Sequence, residues 1–117
     1  MTTVTILQSE DKSYKGFICE GHAGYADSGN DIVCAGISAI AINTINSLEQ
    51  LTKAHLEVKS RSEDGYLSCR FRDPLDEKQK LLMDSFVLGI QQIVKSYGSQ
   101  KALFKTKKYC ELKFKEV

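Results

Sequence analysis

The sequence predicts an α+β domain, in which two helices cover an antiparallel-rich sheet and the elements follow the order β-β-α-β-β-α-β. Three observations support this fold class. Apolar residues alternate along five short segments, they recur at helical spacing along two longer ones, and neighbouring strands are joined by short polar turns. A chain of 117 residues is the size of one domain, so residues 1–117 are expected to share one core.

The first half of the chain contains a predicted hairpin and a predicted central helix. Alternation marks strands over Thr2–Gln8 and residues 14–22, with a polar turn between them. A glycine-rich polar loop follows, and apolar residues then recur at helical spacing from Asp31 to Leu51. Because the beginning of this helix is apolar on most of its circumference, we expect it to be deeply buried, with Asn30 or Asp31 as its N-cap.

The second half adds another hairpin, a second helix and a last strand. Residues 55–59 and Tyr66–Phe71 alternate at period two and are expected to pair. A helix is expected to begin near Pro74 and to end at Gly98, with five residues on its apolar face: Leu82, Phe86, Ile90, Ile93 and Tyr97. Alternation resumes over residues 107–115, which places three residues on one face of the last strand: Cys110, Leu112 and Phe114.

Composition and charge argue against several classes of function. The formal net charge of +1 favours neither a nucleic-acid partner nor an anionic membrane surface. The N-terminus lacks the basic start and apolar run of a signal peptide, and polar residues interrupt every apolar stretch that approaches bilayer length. We therefore expect a cytoplasmic protein with no membrane partner, whose cysteines are thiols because reducing compartments oppose disulfides.

Most of the cysteines are predicted to be small core residues. Cys19, Cys69 and Cys110 each alternate with apolar neighbours on a predicted strand, which is the common environment of a free cysteine. His55 begins a predicted strand without a partner motif, so it is expected at the surface or at its boundary. Any chemistry of the thiols is therefore expected at Cys34.

Cys34 lies close behind the predicted start of the central helix. Unpaired N–H groups and the helix dipole at such a position favour the thiolate, which is the nucleophile, and could stabilise an oxyanion. Helix position alone favours the alternative that Cys34 packs like its neighbours Val33 and Ala35. His22 changes this interpretation, because a cysteine nucleophile needs a base and a strand end can approach a helix start.

Two polar residues near Cys34 are candidates for supporting roles. Asp31 would either orient the His22 imidazole or cap the helix, and capping is the simpler expectation. Ser38 follows Cys34 by one helical turn on the same face, where it would donate a hydrogen bond near the thiol or bond its own helix backbone. The loop between His22 and Cys34 is expected to become ordered on substrate binding and to hinge at three glycines: Gly21, Gly24 and Gly29.

Cys19, His22 and Cys34 also suggest two other uses, a metal site and a redox pair. Cys19, His22 and Cys34 superficially resemble three zinc ligands, but a structural zinc site needs four, usually in two close pairs, so no metal is expected. Cys19 and His22 are also three residues apart on the predicted strand, so their side chains would point to opposite faces of the sheet. Cys34 could alternatively act as a redox sensor if Cys19 approached it in space.

Two half-motifs, Gly21-His22-Ala23 and the sequence DIVCAGIS of residues 31–38, resemble the defining motif of the ribosomal-processing cysteine protease family, Prp. The resemblance extends to chain length and element order. It implies a bacterial cytosolic endopeptidase without a cofactor, which removes a short N-terminal extension from a large-subunit ribosomal protein by cutting after an aromatic pair. It also implies that His22 and Cys34 are the catalytic pair and that the protein is a homodimer.

In the mechanism that this resemblance implies, the Cys34 thiolate attacks the scissile carbonyl and His22 protonates the leaving amine. N–H groups at the start of the central helix would then hold the oxyanion. The alternative function is a non-catalytic ribosome-assembly or peptide-binding module, which the basic run at residues 101–115 supports. Lysines in that run alternate with glutamates and apolar residues, so a solvated strand face explains them equally well.

Overall fold

A computed structural model describes residues 1–21, 28–63, 65–101 and 106–117, and the side chains of residues 28–31, 99–101 and 106–107 lie outside this description. The elements follow in the order β1 (Thr2–Gln8), β2 (Tyr14–Glu20), α1 (Ser28–Leu51), β3 (Leu56–Arg61), β4 (Tyr66–Phe71), α2 (Glu77–Tyr97), β5 (Ser99–Lys101), β6 (Thr106–Lys108) and β7 (Cys110–Glu116).

Five of the strands form one sheet in the order β3-β4-β2-β1-β7. Neighbouring strands run antiparallel except β1 and β7, which are parallel. β5 and β6 form a separate short hairpin between α2 and β7. The predicted fold class, with its antiparallel-rich sheet, two helices and element order, is confirmed for the main sheet, and the β5–β6 hairpin is an addition to it.

One core lies between the sheet and the two helices. The core residues of the strands alternate in sequence, so they lie on the face of the sheet toward the helices. The fully enclosed members include Val4, Ile6, Phe17 and Cys69 from the strands, Ile37, Ala41 and Leu48 from α1, and Met83 and Ile90 from α2. The rings of Phe17 and Phe86 have centroids 4.5 Å apart, which joins the centre of the sheet to α2.

The beginning and the exposure of α1 differ from the prediction. The helix begins at Ser28, so Asn30 and Asp31 are its third and fourth residues, and the prediction that one of them is the N-cap is wrong. Gly29 likewise lies within the helix and not in the preceding loop. The prediction that the beginning of this helix is deeply buried is also wrong, since Ile32 is 72% exposed and Ala35 and Ala39 are exposed as well.

The apolar composition of α1 reflects its role as a core helix. Its segment Ile32–Leu51 has a mean hydropathy of 1.4 and is long and apolar enough, by composition alone, to cross a bilayer. Core helices pass the same test, and the Val33, Ile37 and Ala41 side chains of this one are buried in the core shared with the sheet.

The ends of α2 are determined by local hydrogen bonds. Asp76 is the N-cap: its Oδ1 accepts a hydrogen bond of 2.8 Å from the Gln79 N–H, and the Asp76 N–H donates to Gln79 Oε1 at 3.0 Å. Gly98 ends the helix as predicted, and its N–H donates to the Val94 carbonyl. The predicted apolar face is confirmed at Phe86 and Ile90, which are buried, but Tyr97 is 61% exposed.

Gly21, directly after β2, packs against the N-terminal backbone. Its φ is +138°, a conformation that side-chain-bearing residues rarely adopt. A Cβ atom there would overlap the Met1 carbonyl oxygen and lie 2.7 Å from the Thr2 Cα. Gly21 was predicted as a hinge of the loop, but its described environment is a close backbone contact that only glycine allows.

We predict that Gly21→Ala lowers the free energy of unfolding by about 2 kcal/mol or more, because it combines backbone strain with a backbone clash. Chemical denaturation of the purified variant measures this. Gly36→Ala is the control, since a Cβ at Gly36 meets nothing within 4 Å and should stabilise the helix by about 0.5–1 kcal/mol. A Gly21→Ala protein as stable as the parent would contradict the packing role.

Candidate functional site

A cavity of about 300 Å³ opens at one end of the sheet, beside the first half of α1. Three parts of the chain form its walls. The residues are Thr2, Cys19 and Gly21 from β1 and the end of β2, Cys34, Ile37, Ser38 and Ile42 from α1, and Ser60, Arg61, Ser62, Gly65, Tyr66 and Leu67 from the β3–β4 hairpin. The cavity therefore brings Cys34 and Ser38 together, as their helical spacing predicted.

Helical geometry explains which α1 residues face the cavity. Residues four apart lie nearly above one another, so Val33, Ile37 and Ala41 form one row, and all three are buried in the core. The next row around the helix contains Cys34, Ser38 and Ile42, at the border between core and solvent. Cys34 is half-buried, so its thiol is neither packed in the core nor fully in solvent.

The start of α1 is too far from Cys34 to act as predicted. Cys34 is the seventh residue of the helix, counted from Ser28. Six helical steps from Ser28 to Cys34 correspond to about 9 Å along the helix axis. Free N–H groups and the dipole effect are confined to the first turn, so the prediction that they surround Cys34 is wrong.

The other three thiols are buried, which confirms their prediction as core residues. Burial raises the pKa of the Cys19 thiol to about 12, with smaller contributions from Cys34 and Cys69. Burial, with Glu49, also raises the pKa of Cys69 to about 12, and burial raises that of Cys110. These three side chains therefore carry almost no thiolate near neutral pH.

The two histidines of the chain lie in different parts of the sequence, and the structure describes one of them, His55. His55 is exposed, as predicted, and its Nδ1 lies 2.6 Å from Asp73 Oδ2, a partner that the sequence did not indicate. It lines a different cavity of about 220 Å³, near the far end of α1. His22 lies outside the described residues, but its chain neighbour Gly21 lines the cavity of Cys34.

Other predicted site residues are described only in part. Gly24 lies outside the described residues, and the side chain of Asp31 does too, although its backbone belongs to α1. Within the described ranges, no group of three or more His, Cys, Asp or Glu side chains could hold a metal ion.

Several cavity residues were missed in the sequence. Ile42 follows Cys34 by eight residues, and the helical spacing that identified Ser38 could have found it. The hairpin residues could not be found in this way, because strand pairing far along the chain brings them to α1. Among them, the Arg61 guanidinium carbon lies 4.2 Å from the centre of the Tyr66 ring, a cation–π contact that shapes this wall.

The chain matches the sequence model of a family described as cysteine protease Prp over residues 1–101. It is 30% identical over 101 residues to the ribosomal processing cysteine protease Prp of Bacillus subtilis (strain 168), an alignment that covers 83% of this chain and 90% of that protein.

Two crystal structures of the essential ribosomal processing protease Prp from S. aureus have the same fold. The complex with a substrate peptide has a TM-score of 0.85 and 24% identity, which shows the fold alone. The complex with a covalently linked product peptide has a TM-score of 0.81 and 25% identity. Each comparison covers 98% of this chain and 100% of the other.

We predict that iodoacetamide labels Cys34 at least tenfold faster than the three buried thiols in the native protein, because Cys34 is half-buried while burial raises the pKa of the other three. Peptide mapping after brief treatment at neutral pH measures the four rates. Labelling in denaturant is the control and should make all four rates similar. Equal native rates, or preferential labelling of Cys19, would contradict the described arrangement.

Proposed function

The chain belongs to the cysteine protease Prp family, and we propose that Cys34 is its nucleophile and His22 its general base and acid. The enzyme is a cysteine protease. One observation carries the assignment of Cys34: it is the least buried of the four thiols, and it lines a cavity large enough for peptide side chains. For His22 the support is its link to Gly21 on the same cavity and the position of His55 elsewhere.

The proposed reaction has two stages. His22 removes the proton from the Cys34 thiol, and the thiolate sulfur attacks the scissile carbonyl carbon. The tetrahedral intermediate collapses as His22 returns that proton to the leaving amine, so the peptide C–N bond breaks and a thioester forms. A water molecule, deprotonated by His22, then hydrolyses the thioester and releases the thiol. Because α1 begins about 9 Å before Cys34, the thiolate depends on His22 more than on the helix dipole.

Asp31 and Ser38 are proposed to support this pair. Asp31 precedes Cys34 by three residues within α1, so both lie on the same side of the helix. Asp31 was expected either to cap the helix or to orient the His22 imidazole. Because Asp31 is not the N-cap, we propose that it orients the imidazole. Ser38 is exposed on the cavity wall one turn after Cys34, where its hydroxyl can donate to the developing oxyanion. Gly24 stays a predicted hinge of the intervening loop.

The proposed substrate is the precursor of a large-subunit ribosomal protein, from which the enzyme removes an N-terminal extension. The relatives named ribosomal processing cysteine protease, and the S. aureus protein crystallised with a covalently linked product peptide, support this assignment. The cavity wall carries apolar side chains, which suits a substrate with the aromatic pair expected before the cut.

The protein is further proposed to act in the bacterial cytoplasm as a homodimer, without direct contact to nucleic acid or membrane. The net charge of +1 supports the absence of a nucleic-acid partner. The homodimer is proposed because membership of the cysteine protease Prp family carries that expectation to this chain.

We predict that the purified protein cuts the precursor once, and that Cys34→Ser and His22→Ala each reduce kcat by at least about 100-fold. Product masses and single-turnover rates measure this. His55→Ala is the matched control and should cut at the parental rate, since His55 lines another cavity. Parental cleavage by either site variant would remove that residue from the mechanism. A precursor left intact by the parent would favour the non-catalytic binding module.

A further inference from the structure

We infer that Ile42 is a specificity-determining residue, which forms an apolar subsite for a substrate side chain three to four residues from the scissile bond. This inference rests on the proposed function, because it takes Cys34 as the point of cleavage. It concerns a part of the cavity beyond the reacting atoms, between α1 and the β3–β4 hairpin.

The exposure of Ile42 is unusual because of where it occurs. The side chain is 50% exposed, and a single exposed isoleucine on a surface would need no explanation. Ile42, however, continues the row of Cys34 and Ser38 and lines the same cavity. Across the cavity, Tyr66 and Leu67 are half-buried, so an apolar group placed between them and Ile42 would be covered on both sides.

The distance from Cys34 determines which substrate residue reaches this position. Ile42 follows Cys34 by eight residues of α-helix, which is about 12 Å along the axis. An extended peptide advances about 3.3 Å per residue. A substrate with its scissile bond at Cys34 and its chain along α1 therefore presents a side chain to Ile42 at the third or fourth residue from that bond.

The opposite wall supplies hydrogen-bonding groups for the backbone of such a peptide. β3 is an edge strand of the sheet. The Arg72 N–H donates to the His55 carbonyl at 3.0 Å, so alternate residues of β3 from Glu57 onward pair with β4. By this alternation Ser60 turns its N–H and C=O away from β4, and Ser60 lines the cavity. An extended segment can pair with this edge while its side chains alternate toward Ile42.

These features together specify the ligand as an extended peptide with an apolar side chain. In the described part of the chain, apolar and small residues form one wall, and the edge strand β3 has no further strand beside it on the other. A peptide matches this arrangement because its side chains need the first wall and its backbone needs the second. Neither wall offers a concentration of like charge: Arg61 is the one charged residue that lines the cavity in the described part of the chain, and its guanidinium stacks on Tyr66.

Ile42→Ser, Ile42→Leu and Leu88→Ser test the inference on a series of substrate peptides. In this series the third and fourth residues on each side of the scissile bond are replaced in turn by leucine and by alanine. Leu88 is 56% exposed in the middle of α2 and lines no part of the cavity, so Leu88→Ser matches the polarity change of Ile42→Ser. Values of kcat and KM are measured separately for each combination of enzyme and peptide.

We expect the parent to prefer leucine over alanine about tenfold in kcat/KM at one of these positions, as burial of a large apolar side chain warrants. Ile42→Ser should reduce that preference to about twofold or less through KM, with kcat little changed. Ile42→Leu and Leu88→Ser should retain it. An unchanged preference in Ile42→Ser, or no leucine preference at any position, would overturn the inference. A parent that cuts no peptide would instead overturn the proposed function.

Discussion

The packing of one face of α1 against the sheet is the interaction on which the rest of the structure depends. Val33, Ile37 and Ala41 enter the core between sheet and α2, and this fixes the rotation of the helix about its axis. Because residues four apart share a row, the neighbouring row of Cys34, Ser38 and Ile42 is then held at the border of the core. A different rotation would bury the thiol or carry it into solvent.

The N-terminal contact at Gly21 places the second wall of the cavity. The end of β2 passes so close to the backbone of Met1 and Thr2 that a side chain at Gly21 has no space. This brings the chain to the cavity just before His22. Core packing of α1 thus positions Cys34, and close backbone packing fixes Gly21, the chain neighbour of His22.

Much of the fold could be predicted from the sequence because its signals are local. Alternation located Thr2–Gln8 and Tyr66–Phe71 correctly, and it identified Cys19 and Cys69 as core residues. The start of α1 was missed because the polar residues before Asp31, including Gly29, favour a loop by propensity and are helical here. The β5–β6 hairpin was missed because three-residue strands are too short to show alternation.

The site was predictable only where its residues share one helix. Cys34 and Ser38 are related by helical spacing, and Ile42 follows from the same rule. Tyr66 and Leu67 reach the cavity through the pairing of β4 with β2 and β3, which no local pattern encodes. The apolar stripe of α1 also concealed which side faces the core, since Ile32 and Ile42 are as hydrophobic as the buried Ile37.

The most direct test of the central claim is the mass of the enzyme during a single turnover. Excess enzyme is mixed with precursor, quenched in acid at short times, and analysed as intact protein and as peptides. We predict a transient adduct with the mass of the N-terminal fragment less one water, attached to Cys34 and decaying as that fragment appears free. Cleavage at the normal rate with the adduct on another residue would contradict a thioester at Cys34. So would the absence of any adduct, at all times sampled, in a variant selected for slow hydrolysis of the thioester.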